Sequence, residues 1–276
     1  MREIADSMRS SHIPLQMYHA EAAPGQYEVV SGPLTPLEAA DALIYTREII
    51  VNVSAGHGLH ATFAPRPFDT IGSATHAHIS VHNPGDIKTP DKLCVSEEHF
   101  LAGVLDHLPA IAAFTLPTPG SYRRVGDGLW SGGTYVSYGN ENRESPVRLT
   151  NAASPGSRNF EMRFIDGTSN PYLALAAVLA GGIVGLGKKQ KLEGEDFDDV
   201  FVANLTEEER RSRRVTKRMP LNVDQARRYL SDDTEIRKVL GDEVIETFLS
   251  VNRTLEKALT QDANNEEQRT RLVEFY

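Results

Sequence analysis

His76, His78, Ser80 and His82 recur at every second position, separated by Ala77, Ile79 and Val81 and preceded by Thr75. In an extended strand, alternate side chains share a face, so the polar groups line one side and the apolar ones the other. Such a face either meets water or forms a cavity wall that offers imidazole nitrogen to a metal or a phosphate. Glu21 and Glu28 bracket the Pro24-Gly25 pair. A turn there can bring two carboxylates together, and two exposed glutamates are the plainer alternative. Phe160 to Phe164 alternates as well, which sets Glu161 and Arg163 on one face as a surface ion pair or as part of a site. Arg123, Arg124, Arg143, Arg148, Arg158 and Arg163 crowd a stretch rich in Gly, Ser and Asn. They are either solvated loop cations or a grip on carboxylate or phosphate, for which a guanidinium is well shaped.

These groups need elements to hold them. Thr35-Pro36-Leu37-Glu38 is a capping box with proline at the first helical position. The helix it opens is expected to turn Leu37, Ala40, Leu43, Ile44 and Val51 towards a core and to end near Gly56. Leu59 to Ala64 reads as a strand stopped by Pro65 and Pro67, and Thr75 to His82 as another. Val244, Phe248, Val251, Leu255 and Leu259 form a helical stripe suited to core packing. Tyr172 to Leu186 is the longest apolar stretch. It is shorter than the roughly 20 residues of a membrane span and is interrupted by glycine, so it reads as a helix buried on most sides. The chain divides in character: residues 1–187 carry the strands and most histidines, and 188–276 are charged and helix-forming.

The bulk properties narrow the possibilities. A chain of 276 residues with a formal net charge of −9 lacks the basic footprint of a nucleic-acid or anionic-membrane surface. Arg210 to Arg218 follows Glu207, Glu208 and Glu209, which reads as a solvated helix with internal ion pairs. Cys94 is the single cysteine, excluding an intrachain disulfide and pointing to a reducing, cytoplasmic setting. No GxxxxGK[ST] loop and no nucleophile elbow occurs, so a nucleotide site would be of another design.

In order along the chain, the motifs resemble those of glutamine synthetases. Glu21-Ala-Ala-Pro-Gly-Gln-Tyr-Glu28 is similar to E-x-A-P-G-Q-x-E, and His57 to Phe68 to H-G-L-x-A-T-F-M-P-K-P. Gly72 to Ser80 is similar to G-S-G-M-H-x-H-x-S, and Asn142-Arg143 with Arg148 to N-R-x-x-x-x-R. Ser154-Pro155 to Asp166, then Asn170-Pro171-Tyr172-Leu173-Ala174, is similar to S-P-x-x-x-x-x-E-x-R-F-x-D followed by N-P-Y-L-A, and the closing Leu-Val-Glu-Phe-Tyr also fits. The resemblance implies an α+β catalytic domain: a curved, largely antiparallel sheet backed by helices. It implies an ATP- and Mg²⁺- or Mn²⁺-dependent ligase that joins the γ-carboxylate of glutamate to ammonia or another amine, working as a homo-oligomer in full-length form. It assigns Glu21 and Glu28 to one metal and His76 and Glu161 to a second. His78, Ser80 and Arg148 then contact the nucleotide, Gly72 glutamate, and Arg124, Arg143 and Arg163 glutamate or the transferring phosphate. Carboxylate oxygens with an imidazole suit such cations, and the arginines suit phosphoryl transfer.

The departures carry equal weight. The family's small N-terminal β domain and its E-x-E strand are expected to be missing, since Met1 precedes the strand of Glu21 closely. The flap after Arg124 reads Val125-Gly126-Asp127-Gly128-Leu129-Trp130, without the family's glutamate, leaving Asp127 as the nearest candidate base. Ile71 stands where an asparagine is expected and Gly156 where a lysine is. A non-catalytic descendant kept for assembly or signalling is the competing expectation.

Overall fold

The computed structural model describes residues 1–129, 132–198 and 200–276. A helix, α1 (Arg2–Ser10), precedes a hairpin of β1 (Leu15–Ala20) and β2 (Tyr27–Ser31). Then come α2 (Pro36–Gly56), β3 (Ala77–Ile79), α3 (Val95–Thr115), β4 (Tyr138–Asn140), β5 (Val147–Thr150), β6 (Asn159–Met162) and α4 (Pro171–Lys188). The remaining helices are α5 (Glu207–Ser212), α6 (Val223–Asp232), α7 (Thr234–Leu240), α8 (Asp242–Thr260) and α9 (Asn265–Phe275). The class is α+β, as expected. The strands form two sheets, the β1-β2 hairpin and a four-stranded sheet of order β3-β6-β5-β4. Pairing is antiparallel except between β4 and β5, which run parallel.

Helix α3 is the centre of the molecule. Phe100, Leu101, Val104, Leu108 and Ile111 are buried against α4, against Val147, Phe160 and Met162 of the sheet, and against Leu230, Ile245 and Leu249 of the C-terminal helices. Phe100 stacks on Phe160 at 6.3 Å between centroids, and Phe114 meets Phe248 at 4.2 Å, so α3 ties β6 to α8. The α3-α4 seam is built from glycine. A Cβ on Gly103 would lie 2.2 Å from the Gly181 carbonyl oxygen, and one on Gly185 would lie 2.1 Å from that of His99. Among the described residues α4 is the one helix long and apolar enough to cross a membrane. Its close backbone contact with α3 makes it a core element instead. Asn170 starts it by accepting from the amides of Tyr172 and Leu173, and Pro171 follows at the position where no amide is needed. A second, small cluster of Ile4, Met8, Ile13 and Ala42 packs α1 and the hairpin on α2.

Several expected elements differ. Leu59 to Ala64 forms no strand. The Phe63 amide donates to the Tyr276 carbonyl at 2.6 Å and that of Ala64 to Thr62 Oγ1, so the backbone is satisfied without a ladder. The strand around His78 shrinks to three residues, since the four-residue β6 is its only ladder partner among the described residues. Helix α2 buries Ala40, Ala42 and Thr46, and exposes Leu37, Ile44 and Val51. Its apolar residues surround the helix, so periodicity did not select a face. In α8 the buried row is Ile245, Leu249, Asn252 and Leu259, leaving Val244 and Val251 outside. Asn252 sets that register: it receives Arg227 Nε at 2.7 Å and donates to the Pro117 carbonyl at 2.8 Å.

The seam can be tested within one helix. Gly185→Ala should destabilise the protein by roughly 1–3 kcal/mol through overpacking. Gly187→Ala, whose Cβ would meet nothing within 4 Å, should be neutral or stabilising by up to ~1 kcal/mol. Urea denaturation of both variants checks the contrast.

Candidate functional site

Strand β6 lies between β3 and β5, and its register places Glu161 opposite both His78 and Arg148. Phe160 and Met162 point into the core, so Glu161 stands on the other face, yet it is only 3% exposed. Arg163 Nη1 donates to its Oε1 at 2.7 Å, His76 Nδ1 lies 2.8 Å from the same oxygen, and Arg148 Nε lies 2.5 Å from Oε2. Burial opposes ionisation of Glu161. The His76 hydrogen bond and the charges of Arg163 and Arg148 outweigh it and hold the carboxyl down at about 2. Burial, reinforced by Arg163 and Arg124, pulls the His76 imidazole down to about 4 against the attraction of Glu161. His76 is therefore neutral at pH 7. With Nδ1 donating to Glu161, its buried Nε2 carries a lone pair that no described residue meets.

The arginines divide. Arg124 is fully buried and donates to the carbonyls of Arg163 at 3.0 Å and Ile165 at 3.5 Å. Burial brings it down to about 10, which leaves it charged. Gly72 packs against it: a Cβ there would lie 2.6 Å from Arg124 Cγ. Arg163 Nε donates to the Arg143 carbonyl at 2.9 Å, while the Arg143 side chain is exposed beside it. Arg158 instead pairs with buried Glu97 at 2.6 Å, and Arg123 binds Asn265 and Gln268 of α9.

A second group lies on the hairpin. Ligand atoms of His19, Glu21 and Glu28 all fall within 4.8 Å of one another. His19 and Glu21 share a face of the strand by alternation, and His19 stands opposite Glu28 in the ladder. Burial and the hydrogen bond and charge of Glu21 raise Glu28, and Glu161 adds to the effect. Like charges held this close favour a cation between them, and a carboxylate pair with imidazole suits Mg²⁺ or Mn²⁺. The four expected ligands thus form two electrostatically linked groups, Glu21 with Glu28 and His76 with Glu161. His19 joins the first; period-2 spacing from Glu21 was its signal. Gln26 is another residue the sequence reading passed over. Its Nε2 donates to the Gly72 carbonyl at 3.1 Å and its Oε1 accepts the Ala23 amide, so it fastens the hairpin turn to the Gly72 loop.

The third group is exposed. His78 Nδ1 lies 2.8 Å from Asn159 Oδ1, and His82 Nε2 lies 3.1 Å from Ser80 Oγ. The loop after Arg124 is pinned. Both oxygens of Asp127 lie 2.6 Å from Arg218 Nη2, and Thr134 donates to the same carboxylate. Burial opposes this state, but the two donors hold Asp127 below the usual range. Buried Glu144 accepts the amides of Gly128, Val202 and Ala203, clamping the loop from beneath. Trp130 lies outside the described residues.

The sequence profile described as "Glutamine synthetase, catalytic domain" matches residues 1–271. The chain belongs to that family. Protein fluG of Emericella nidulans is 40% identical over 280 residues, an alignment covering all of this chain and 30% of that protein. Gamma-glutamylpolyamine synthetase GlnA3 of Streptomyces coelicolor is 33% identical over 260 residues, covering 90% of this chain and 54% of its own length. The solved GmaS/ADP complex superposes with a TM-score of 0.81 at 28% identity, covering 98% of this chain and 63% of that one. The chain spans between 30 and 57% of the lengths of these and other curated relatives.

The pairing of His76 with Glu161 makes acid stability a readout of these charges. His76, lowered from its ordinary value, supports the fold above about pH 6.5 and loses that support as pH falls towards 4. Glu161, also lowered, loses its contribution from about 4.5 towards 2. Both windows have the same sign. In chelator-treated protein, unfolding free energy should fall as pH drops from 6.5 to 4, with a slope of up to about 1.4 kcal/mol per pH unit from this one proton. His76→Gln should flatten that window and narrow the lower one, because the His76 hydrogen bond helps to hold Glu161 down.

Proposed function

We propose that this chain is the catalytic domain of an ATP-dependent ligase that joins the γ-carboxylate of glutamate to an amine through a γ-glutamyl phosphate. The observation that supports it most is the cluster of His19, Glu21 and Glu28 on the hairpin, electrostatically linked through Glu28 to Glu161 and the arginines organised around it. This is a donor set for a hard divalent cation beside a set for phosphate. Glu21 and Glu28, with His19 beside them, would hold one Mg²⁺ or Mn²⁺ and the bare Nε2 of His76 would serve a second, and bound cations would offset phosphate charge. Arg143, exposed and next to Arg163, would receive the anionic substrate, while Arg124 and Arg163 keep that wall positive. Gly72 would present its backbone to glutamate. Arg148 and the row of His78 and Ser80 would meet the nucleotide. The resemblance adds Glu161 to the metal ligands; for that, it would have to exchange Arg148 or Arg163 for the cation.

The amine is the open half of the reaction. The loop over the site lacks a glutamate, and Asp127 would have to release Arg218 and Thr134 before taking a proton. We therefore assign a primary amine larger than ammonium as the preferred acceptor, a reading in keeping with the polyamine named in the GlnA3 relative. The locked Asp127 and the filled Glu161 carboxylate favour the second reading, a non-catalytic member with an assembly or signalling role. The whole protein containing this chain would act as a homo-oligomer in the cytoplasm, without nucleic-acid or membrane partners.

Two measurements separate these readings. Mg²⁺ or Mn²⁺ should raise the melting temperature of the chain by linkage, and Glu28→Gln or His76→Ala should abolish the rise. Phosphate release from ATP and glutamate, measured on the whole protein, should be faster with alkyl amines or polyamines than with ammonium. Ammonium as the best acceptor would overturn the amine preference. A metal-dependent melting shift with no turnover on any amine would establish the non-catalytic reading.

A further inference from the structure

Asn159 sits two residues before Glu161 on β6, on the same face, and diagonally across from His78. Nothing in its type suggests chemistry, yet three polar contacts converge on its amide. Its Nδ2 donates to the Ser157 carbonyl at 2.9 Å. That bond fixes the orientation of the amide, because the reverse would set carbonyl oxygen against carbonyl oxygen. Oδ1 is thereby turned towards β5 and β3. It accepts the Thr150 hydroxyl at 2.7 Å, from the residue directly opposite in the ladder, and it lies 2.8 Å from His78 Nδ1.

An amide oxygen can only accept. His78 Nδ1 must therefore carry hydrogen, and in the neutral ring Nε2 is then bare. The His78 side chain is exposed, and Nε2 makes no hydrogen bond to a described residue. The face thus shows a ligand an acceptor whose polarity is decided one strand away. A group that donates hydrogen is welcome at Nε2, and a carbonyl there would meet lone pair with lone pair.

We propose that Asn159 is a specificity-determining residue: it holds His78 as the Nδ1–H tautomer, so that the face selects a nucleotide group that donates a hydrogen bond. The donor is the exocyclic amine of adenine, because a ribose hydroxyl accepts as well as donates and would pair with either tautomer. The selection rests on the nucleotide reading proposed above; the tautomer does not.

The test begins with long-range ¹H–¹⁵N correlation of the ¹⁵N-histidine-labelled chain at about pH 8.5, above the ordinary imidazole range. His78 should show a protonated Nδ1 and a bare Nε2, and Asn159→Leu should move the balance towards Nε2–H. An Nε2–H ring in the unmodified chain, or no change in the variant, overturns the proposal whatever binds. Dissociation constants for ADP, 2′-deoxy-ADP, 3′-deoxy-ADP and inosine diphosphate then locate the donor. Inosine diphosphate, which carries a carbonyl in place of the amine, should bind about tenfold more weakly than ADP, the scale of one hydrogen bond to a group left unpaired, and Asn159→Leu should erase most of that difference. Loss with inosine diphosphate supports the amine, and loss with a deoxy analogue alone overturns the selection. Equal binding of all four overturns the selection. Failure of all four to bind overturns the nucleotide reading and the selection with it, while an Nδ1–H signal would still place Asn159 in control of the ring.

Discussion

A carboxylate with almost no contact with water is costly unless its charge is met, and Glu161 is such a group at the middle of the four-stranded sheet. Arg163, Arg148 and His76 meet it from three directions. The requirement runs both ways. Arg163 is buried too, and Glu161 is the carboxylate that its Nη1 meets, while its Nε is taken by the Arg143 carbonyl. Each partner then fixes a segment: Arg148 the register of β5, Arg163 the loop of Arg143, and His76 the start of β3. Arg124 follows from these, because the carbonyls it binds belong to the chain that leaves β6. The positive wall of the site is in this sense the counter-charge of one buried anion.

The scaffold keeps that anion where it is. Phe160, next to Glu161, stacks on Phe100 of α3, and the glycine seam lets α4 close on α3 from the other side. A sheet residue whose neighbour is pinned in the core has little freedom to turn outward. The hairpin, by contrast, belongs to the smaller cluster with α1 and α2. Its carboxylates are solvent-facing, and one of its ties to the Gly72 loop is the Gln26 side chain. The site therefore joins a rigid cationic wall to an acidic hairpin on a lighter mounting.

Much of this was legible beforehand. Alternation from His76 to His82 and from Phe160 to Phe164 identified the polar faces, because period-2 spacing survives even where the ladder is short. Capping at Thr35 located the start of α2, and the apolar stretch from Tyr172 to Leu186 marked α4. The residues that were missed share a physical character. Gln26, Asn159 and Thr150 neither titrate nor bind metal by type, and they matter through contacts reaching as far as 81 positions along the chain. His19 was visible by spacing from Glu21 but lies outside the quoted motif. The helix faces failed for another reason: α2 and α8 carry apolar residues on more than one side, and in α8 the tertiary partners Arg227 and Pro117 select among them.

The claim that one buried anion organises the site is tested most directly by the unfolding free energy of Glu161→Gln, measured by urea denaturation at pH 7.5 in metal- and ligand-free protein. A glutamine keeps the volume and removes the charge. Loss of a buried partner should cost on the order of 3–5 kcal/mol, with part of that recovered when Arg163→Met is added, because one of the buried cations that Glu161 faces is then removed as well. A loss under about 0.5 kcal/mol, or simple additivity of the two changes, would contradict the account.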